Sequence, residues 1–308
     1  MRVLMTGGTG LIGRRLTKEL LDAGHAVVIL TRRPAGHSPG GANFVTWDGS
    51  SLAEGSRLIE QCDAVVHLAG QSIAGESTFS ILFRRWSPKV KREILASRLR
   101  AGEGLLRAIE GARNKPKVFL QSSAVGYYGK EVPSPVDEAA PPGEDFLARV
   151  CVAWEQSSAR VETWGMRRAI VRSGVVLSSE GGVLPMVALP FRFFAGGRLG
   201  DGRQPFAWIH VDDEARAIRF LLEMDSASGA FNLVSPHPVT NAELARSLSS
   251  VLHRPGWLPV PAFALRALLG EKASLVLQGQ QVLPRRLEAL GFTYSFPLIE
   301  AALQNLLR

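Results

Sequence analysis

Short apolar runs alternate with longer amphipathic segments over the first half of the chain. A strand buried on both faces reads as a continuous apolar run, and an intervening helix lets successive strands lie parallel. The alternation therefore predicts an α/β fold with a doubly wound parallel sheet and right-handed crossovers, which binds ligands at the carboxyl ends of its strands. The predicted strands cover residues 1–5, 26–30, 43–47, 64–70, 118–120 and 169–172, and the main predicted helices cover 14–21, 52–61, 89–110 and 145–163.

The pattern changes after Ser178, where glycines interrupt an apolar and aromatic stretch. Asp212 or Asp213 is predicted to be the N-cap of the next helix, and Thr240 with Glu243 forms the capping-box pattern of another. We therefore expect a second, smaller domain that closes over a substrate. The predicted division is a domain at 1–177, to which 207–234 return, and a C-terminal α/β substrate or lid domain at 178–206 and 235–308.

The sharpest local pattern is Thr-Gly-Gly-Thr-Gly-Leu-Ile-Gly at residues 6–13, between the first strand and the first helix. Glycines in such a turn let the backbone approach a ligand and let the helix pack closely on the strand. The helix N-terminus adds unpaired N–H groups and a partial positive charge, which favour a phosphate. One alternative is a tight strand–helix turn without a ligand. The pattern, with a second strand at the right distance, predicts dinucleotide contacts at Gly7, Gly10, Leu11, Ile12 and Gly13.

The second predicted strand ends in Thr31-Arg32-Arg33, with no carboxylate. In a dinucleotide-binding fold this position lies beside the adenosine ribose, where an acidic residue suits NAD and an arginine suits the 2′-phosphate of NADP. A guanidinium binds phosphate bidentately, whereas a carboxylate would repel it. The sequence therefore predicts NADP(H) rather than NAD, the alternative being that Arg32 and Arg33 are solvated loop charges.

Composition and net charge exclude only a few classes of binding partner. The 308 residues carry a formal net charge of +8 and a pI of about 10.0, which attracts anions in general. The basic residues are spread without long runs, so we expect no nucleic-acid partner. The two cysteines, Cys62 and Cys151, are expected to be reduced and buried, with no metal site. No leader and no apolar segment of about 20 residues is visible, so we expect a cytoplasmic protein that does not span a membrane.

Two further strand ends carry candidate site residues. The fourth strand closes on Leu68, Ala69 and Gly70, whose backbone a cofactor could approach, and we interpret His67 there as a core histidine rather than a ligand. The fifth strand ends in serines that could hold a substrate oxygen, and two tyrosines follow. The candidate catalytic residues are Ser122, Ser123, Tyr127 and Tyr128.

These residues, in this order, resemble the extended short-chain dehydrogenase/reductases, also called the NAD-dependent epimerase/dehydratase family. More narrowly, nearly the whole chain is similar to the atypical "epimerase family protein" subgroup. The wider family's landmarks match at 6–13, 67–70, 122–123, 171–172 and 210–213. The subgroup's marks match at 84–86, 126–129, 145–147, 154–155, 171–176, 205–210 and 284–286.

The resemblance implies an NADP-binding Rossmann domain and a small C-terminal domain. It also implies cofactor contacts that the spacing alone would not have indicated. By match to the subgroup, these contacts are Thr31, Arg32, Leu68, Ala69, Glu93, Arg98 and Val176.

The family's catalytic tyrosine, with a lysine four residues later, has no counterpart in this chain. In the family the lysine charge lowers the tyrosine pKa toward neutral pH. Leu147 and Cys151 align with that pair, and neither can do its chemistry. Tyr127 or Tyr128, with Lys130 close by, is a possible substitute acid, although packing or stacking roles compete with that interpretation.

Two hypotheses follow from this sequence. In the first, the protein is an NADP-dependent oxidoreductase or epimerase-like enzyme that acts on an unidentified small molecule. In the second, it is a catalytically silent, NADP(H)-binding regulatory protein. The substrate and the oligomeric state do not follow from the sequence.

Overall fold

The chain folds around a seven-stranded parallel sheet, as seen in a computed structural model that describes residues 1–32, 41–49, 55–70, 86–130 and 135–308. The strands of the described residues are β1 Arg2–Thr6, β2 Ala26–Thr31, β3 Asn43–Thr46, β4 Ala64–His67, β5 Val118–Ala124, β6 Arg167–Ser173, β7 Val175–Ser178, β8 Gly181–Gly182, β9 Pro205–Phe206, β10 Trp208–His210, β11 Gly229–Leu233 and β12 Val239–Thr240. The strand order in the large sheet is β11-β6-β5-β4-β1-β2-β3. The prediction of a Rossmann-type, doubly wound α/β fold is confirmed.

Helices cover both faces of the sheet, so its strands are buried on both sides. Val3, Leu4 and Met5 of β1 are fully buried, and they contribute alternately to two apolar cores on opposite faces. This explains why the first apolar run has no polar alternation. The described α-helices are α1 Leu11–Asp22, α2 Gly55–Glu60, α3 Pro88–Glu110, α4 Phe146–Ser157, α5 Arg160–Thr163, α6 Leu184–Arg192, α7 Val211–Glu223, α8 Asn241–Leu252, α9 Ala262–Leu269, α10 Ser274–Leu277, α11 Arg285–Ala289 and α12 Ile299–Leu307.

Strand β5 is longer than the apolar pattern predicts. It continues from Leu120 through both serines to Ala124, because Ser122, Ser123 and Ala124 pair in register with the last residues of β6. A polar residue fits inside a buried strand when its side chain has a hydrogen-bond partner, as Ser123 has. The serines therefore belong to the sheet rather than to the loop after it.

The segment predicted as a single helix over 145–163 consists of α4 and α5. The break lies at Ser158, the C-cap of α4, whose hydroxyl donates to the side-chain oxygen of Gln121. Arg168 reinforces the break, because its Nη1 lies 2.8 Å from the Glu155 carbonyl and 3.2 Å from the Ser158 hydroxyl. Side-chain partners on neighbouring elements overrode the helical periodicity here.

The N-cap of α7 also differs from the prediction. His210, not Asp212 or Asp213, is the N-cap, and its Nδ1 accepts from the Asp212 backbone N–H at 3.0 Å. Asp213 instead accepts from Ser295 and Phe296 backbone N–H groups, both at 2.8 Å, and so anchors the C-terminal segment to α7.

Beyond β6 the chain leaves the large sheet at Gly174. A Cβ there would lie 2.9 Å from the Ala207 carbonyl oxygen, so only glycine allows this close approach. Strand β7 then joins β10 and β8 in a three-stranded sheet, and β11 returns to pair with β6. The exact division into domains stays a prediction. Among the described helices, none has the length and apolarity needed to cross a bilayer.

Candidate functional site

The turn between β1 and α1 is built from backbone rather than from side chains. Gly7 has a φ of +74°, and a Cβ on it would lie 2.9 Å from the Leu68 carbonyl carbon. A Cβ on Gly13 would lie 2.2 Å from the Gly7 carbonyl oxygen. Gly10 is the N-cap of α1 and offers no side-chain cap, so the first N–H groups of the helix stay open toward a ligand. Leu11 and Ile12 form the first turn of this helix. The turn therefore fits a pyrophosphate.

The end of β4 is fixed against this turn by Thr6. The Thr6 hydroxyl oxygen lies 2.8 Å from His67 Nδ1 and accepts from the Ala69 backbone N–H at 3.2 Å. His67 is buried, and burial lowers its pKa to about 4, with the nearby Arg98 charge acting in the same direction. Among the described residues no cluster suits a metal ion. The interpretation of His67 as a core histidine fits these contacts. Leu68, Ala69 and Gly70 follow directly at the carboxyl end of β4, and their contact with a cofactor stays a prediction.

The end of β2 presents the predicted phosphate-binding arginine to solvent. Thr31 is half-buried and pairs with Thr46 of β3. Arg32 follows as an exposed residue at the carboxyl edge of the sheet. Arg33 lies outside the described residues. Arg32 is therefore free to reach a 2′-phosphate, and its role stays a prediction.

Helix α3 brings Arg98 to the same edge. Arg98 is buried, its Nη1 donates to the Ile94 carbonyl at 2.9 Å, and its guanidinium carbon lies 4.9 Å from the centre of the Trp154 ring. Burial lowers its pKa. A Cβ on Gly70 would lie 3.3 Å from the Arg98 side chain, and Arg98 Nε has no hydrogen-bond partner within the described part. A buried cation with an unpaired N–H beside the β4 edge fits an anionic or polar ligand. Glu93, in the same helix, is half-buried.

The hairpin β7–β8 covers the first turn of α1. A Cβ on Gly182 would lie 3.2 Å from Leu11 Cδ2 and 3.5 Å from the Val176 carbonyl oxygen. Val176 itself is half-buried and packs against the core on that face of the sheet. The structure thus brings Leu11 and Val176 to neighbouring positions, although they lie 165 positions apart in the chain.

The carboxyl ends of β5 and β6 are built differently, around a buried ion pair. Glu155 of α4 binds Arg172 of β6 bidentately, with Oε1–Nε and Oε2–Nη2 distances of 2.9 Å each. The Ser123 hydroxyl donates to Glu155 Oε1 at 2.7 Å. Burial by itself lowers the pKa of Arg172, but the hydrogen bonds and charge of Glu155 outweigh it and raise that pKa above its ordinary value. Ser123 is therefore committed to this network, whereas Ser122 is half-buried.

Arg172 also contacts both tyrosines, but in different ways. Its guanidinium carbon lies 3.4 Å from the centre of the Tyr127 ring, and its Nη1 donates to the Tyr128 hydroxyl at 3.1 Å. Tyr128 is fully buried and donates to Asn232 Oδ1 at 2.7 Å, and burial raises its pKa to about 12. Tyr127 is half-buried. Of the two tyrosines, Tyr128 is therefore committed to buried partners, and Tyr127 is the more accessible.

Leu147 and Cys151, which align with the missing tyrosine and lysine, lie beside this turn. A Cβ on Gly126 would lie 3.5 Å from Leu147 Cβ and 3.9 Å from Cys151 Sγ. Burial raises the pKa of Cys151 to about 11, with the charge of Glu155 acting in the same direction. Cys62 is likewise buried, and both cysteines are free, as predicted. The usual pair is therefore replaced by an apolar surface and a neutral thiol.

Sequence reasoning missed the pairing of Glu155 with Arg172 and the role of Asn232. Glu155 and Arg172 were noted only as members of matching motifs, and 17 residues separate them. One signal was available: Arg172 is a charge inside an otherwise apolar buried strand, and such a charge requires a partner. Nothing in the sequence indicated which carboxylate that partner is.

Comparisons with known proteins agree with this geometry. The model of the NAD dependent epimerase/dehydratase family matches residues 3–233, and the model of a domain of unknown function (DUF1731) matches 260–306. The chain is 38% identical to the epimerase family protein YfhF of Bacillus subtilis, covering 100% of this chain and 98% of that one. It is 41% identical to the chloroplastic SDR39U1 homolog of Arabidopsis thaliana, covering 100% and 87%. The crystal structure of human epimerase family protein SDR39U1 (isoform 2) with NADPH is similar over 99% of both chains, with 38% identity and a TM-score of 0.88.

Proposed function

The chain belongs to the NAD-dependent epimerase/dehydratase family, and from this premise we propose that it is an NADP(H)-dependent oxidoreductase or epimerase-like enzyme acting on a small molecule. The cofactor prediction, NADP(H), is confirmed by the family and by the NADPH in the similar human structure. A cytoplasmic location stays a prediction.

The residues present fit this cofactor. The glycine turn leaves no room for a Cβ at Gly7 or Gly13 and keeps the N-terminus of α1 open for the pyrophosphate. Arg32 is exposed directly after β2, where we expect it to bind the 2′-phosphate, and the buried Arg98 offers an unpaired N–H beside Gly70. When bound, the cofactor would give or accept a hydride at a substrate carbon.

The observation that carries the catalytic part of the proposal is the contact between Arg172 and Tyr127. The Arg172 guanidinium carbon lies 3.4 Å from the ring centre, and this cation–π contact holds the Tyr127 ring in a fixed position. In reduction of a carbonyl, Tyr127 would give its proton to the substrate oxygen as the carbon gains the hydride. Glu155 would keep Arg172 in place, and Ser122 would hold the substrate oxygen. Ser123 would act through Glu155 rather than on the substrate.

The first experiment tests the cofactor site. We expect NADPH to bind more tightly than NADH in calorimetry, and Arg32→Ala to weaken NADPH binding by about tenfold or more while leaving NADH unchanged, since a hydrogen bond to a charged group contributes about 1.5–3 kcal/mol. Arg92→Ala, an exposed arginine on α3, serves as the control for loss of one positive charge. Equal affinity for both dinucleotides would remove the assigned role of Arg32.

The second experiment tests catalysis. NADPH oxidation is followed against a panel of aldehydes, ketones and nucleotide sugars, and Tyr127→Phe is expected to lower kcat by about 100-fold or more without changing the Kd for NADPH. Full activity of Tyr127→Phe would exclude this residue as the proton donor.

A second candidate function is a catalytically silent NADP(H)-binding regulatory protein. It is favoured by the apolar Leu147 and the neutral Cys151 at the positions of the usual catalytic pair. It requires tight NADPH binding with no turnover of any substrate in the panel. A turnover that Tyr127→Phe abolishes would exclude it.

A further inference from the structure

The C-terminal region exposes an aromatic surface that the cofactor site does not use. Four large rings project into solvent from two adjoining stretches: Phe193 and Phe194 after α6, Trp257 before α9, and Phe263 on α9. Their side chains are between 57% and 74% exposed. Leu189, Leu258 and Leu268 are also exposed on these stretches, and we call the seven residues the aromatic face.

The two stretches are held side by side by backbone contacts. Leu258 donates its N–H to the Gly196 carbonyl at 3.0 Å, and Val260 donates to the Arg198 carbonyl at 2.9 Å. A Cβ on Gly197 would lie 2.0 Å from the Leu258 carbonyl oxygen. The two stretches therefore lie side by side at residues 196–198 and 258–260.

The polar residues of this surface are basic. Residues 184–200 and 253–270 contain no aspartate or glutamate, but they contain four exposed arginines, Arg192, Arg198, Arg254 and Arg266. None of the four forms an ion pair with a described carboxylate. Arg254 lies over the Phe194 ring at 4.8 Å, which places positive charge and exposed ring together. Arg266 follows Phe263 by three positions on α9 and so shares its face of the helix.

Phe194 is held in this exposed position by its backbone. Its φ is +61°, in the left-handed region that disfavours a residue with a Cβ. The turn is closed by N–H donation from Phe194 to Phe191 and from Ala195 to Pro190, at 3.0 and 2.9 Å. A bulky ring kept outward on strained backbone is typical of a contact residue.

We propose that the aromatic face docks on an anionic lipid surface, with its rings at the level of the headgroups and its arginines on the lipid phosphates. Exposed aromatic patches of this kind mark interaction sites. Phenylalanine and tryptophan partition into the membrane interface, and arginines without neighbouring carboxylates add attraction to anionic lipid. A second copy of the chain is disfavoured, because a symmetric contact would bring two sets of four arginines together.

The experiment measures sedimentation of the full chain with vesicles of phosphatidylcholine alone or with an equal part of phosphatidylglycerol. We expect at least about tenfold stronger partition into the anionic vesicles, weakened by salt. Trp257→Ala with Phe263→Ala, and separately Arg254→Glu with Arg266→Glu, should each lower that partition about tenfold or more. Leu298→Ala alters an exposed leucine elsewhere, and Arg92→Glu with Arg113→Glu makes the same change of net charge at two exposed arginines elsewhere, so these variants serve as controls.

A second readout locates the contact. Of the six tryptophans, Trp257 is 70% exposed, Trp164 is half-buried, and Trp47, Trp86, Trp154 and Trp208 are buried. Lipids brominated near the headgroup should therefore quench part of the tryptophan emission in the wild type, and Trp257→Phe should lose that part. Thermal unfolding and NADPH binding of every variant test the fold and the proposed function independently.

Three results would overturn the proposal. The first is absence of partition into anionic vesicles, or partition that the aromatic-face variants leave unchanged. The second is a concentration-dependent dimer, in sedimentation velocity, that Trp257→Ala abolishes, since this would assign the face to a second copy. The third is binding of polyglutamate through the same arginines without vesicle binding, which would assign it to an acidic protein.

Discussion

The two ends of the candidate site are built from different materials. The dinucleotide end, between β1 and α1, is a backbone cradle whose shape depends on missing side chains at Gly7 and Gly13. The end at β5 and β6 is a network of buried side chains centred on Glu155 and Arg172. A backbone cradle is encoded by local spacing, whereas a side-chain network is encoded by residues that meet only after folding. The first can therefore be recognised in a sequence, and the second cannot.

The largest expected effect is a loss of stability when the side-chain network at β5 and β6 is broken. Arg172→Met leaves Glu155 as an uncompensated buried charge, and we expect a loss of about 3–5 kcal/mol in the free energy of unfolding, measured by urea denaturation. The matched control is Arg160→Met, whose ion pair with Glu110 is exposed and should change stability by about 1 kcal/mol or less.

Removing both charges tests the reason for this effect. In Glu155→Gln with Arg172→Met no ion is left buried without a partner, so part of the lost stability should return. If Arg172→Met proves as mild as Arg160→Met, the ion pair does not hold this end of the site together.

A second buried carboxyl group contacts the end of β6, and it should make the free energy of unfolding depend on pH. Glu214 of α7 is fully buried, accepts from the Ser173 hydroxyl at 2.5 Å, and burial raises its pKa from 4.5 to about 8. Between these values the unfolded chain has released a proton that the folded chain still holds. Stability contributed by the protonated Glu214 is therefore complete below about pH 4.5 and is lost as the pH rises toward 8, by on the order of 4 kcal/mol.

Glu214→Gln should remove this dependence, because the amide oxygen still accepts from Ser173 and carries no charge at any pH. The measurement is urea denaturation between pH 5 and pH 8, with Glu300→Gln, at an exposed position, as the control. Parallel pH curves for wild type and Glu214→Gln would show that Glu214 does not keep its proton in the fold.

These two groups illustrate what the sequence could and could not predict. The apolar run of β1 and the glycine spacing after it indicated the sheet, the cradle and the cofactor. The carboxylate that pairs with Arg172 and the burial of Glu214 could not be predicted, because both depend on neighbours that are distant in sequence. The same reason explains why β5 was predicted too short: Ser123 satisfies its hydroxyl on Glu155, a residue of the following helix.

At the dinucleotide end, Gly13→Ala tests whether the missing side chain is the essential feature. A Cβ there meets the Gly7 carbonyl oxygen at 2.2 Å, so the backbone must shift. Overpacking of this kind costs about 1–3 kcal/mol, and we expect NADPH binding measured by calorimetry to weaken by about 5- to 150-fold. Gly102→Ala in α3 is the control, since its Cβ would find ordinary contacts at 3.4 and 3.7 Å and alanine favours helix. Unchanged binding in Gly13→Ala would show that the cradle tolerates a side chain.

The smallest expected effect is a change in NADPH affinity caused by a charge near the same cradle rather than by its shape. Glu180, in the turn between β7 and β8, lies 3.5 Å from Arg14 on the first turns of α1, and both side chains are largely exposed. Such a pair contributes about 1 kcal/mol or less to stability, so Glu180→Gln should unfold like the wild type. The carboxylate nevertheless stands near the helix N-terminus that would receive the phosphates, and its removal should strengthen NADPH binding by about two- to threefold at low salt and less at high salt. Glu110→Gln removes the same charge far from the cradle; an equal gain in that variant would mean that net charge, and not the position of Glu180, governs the affinity.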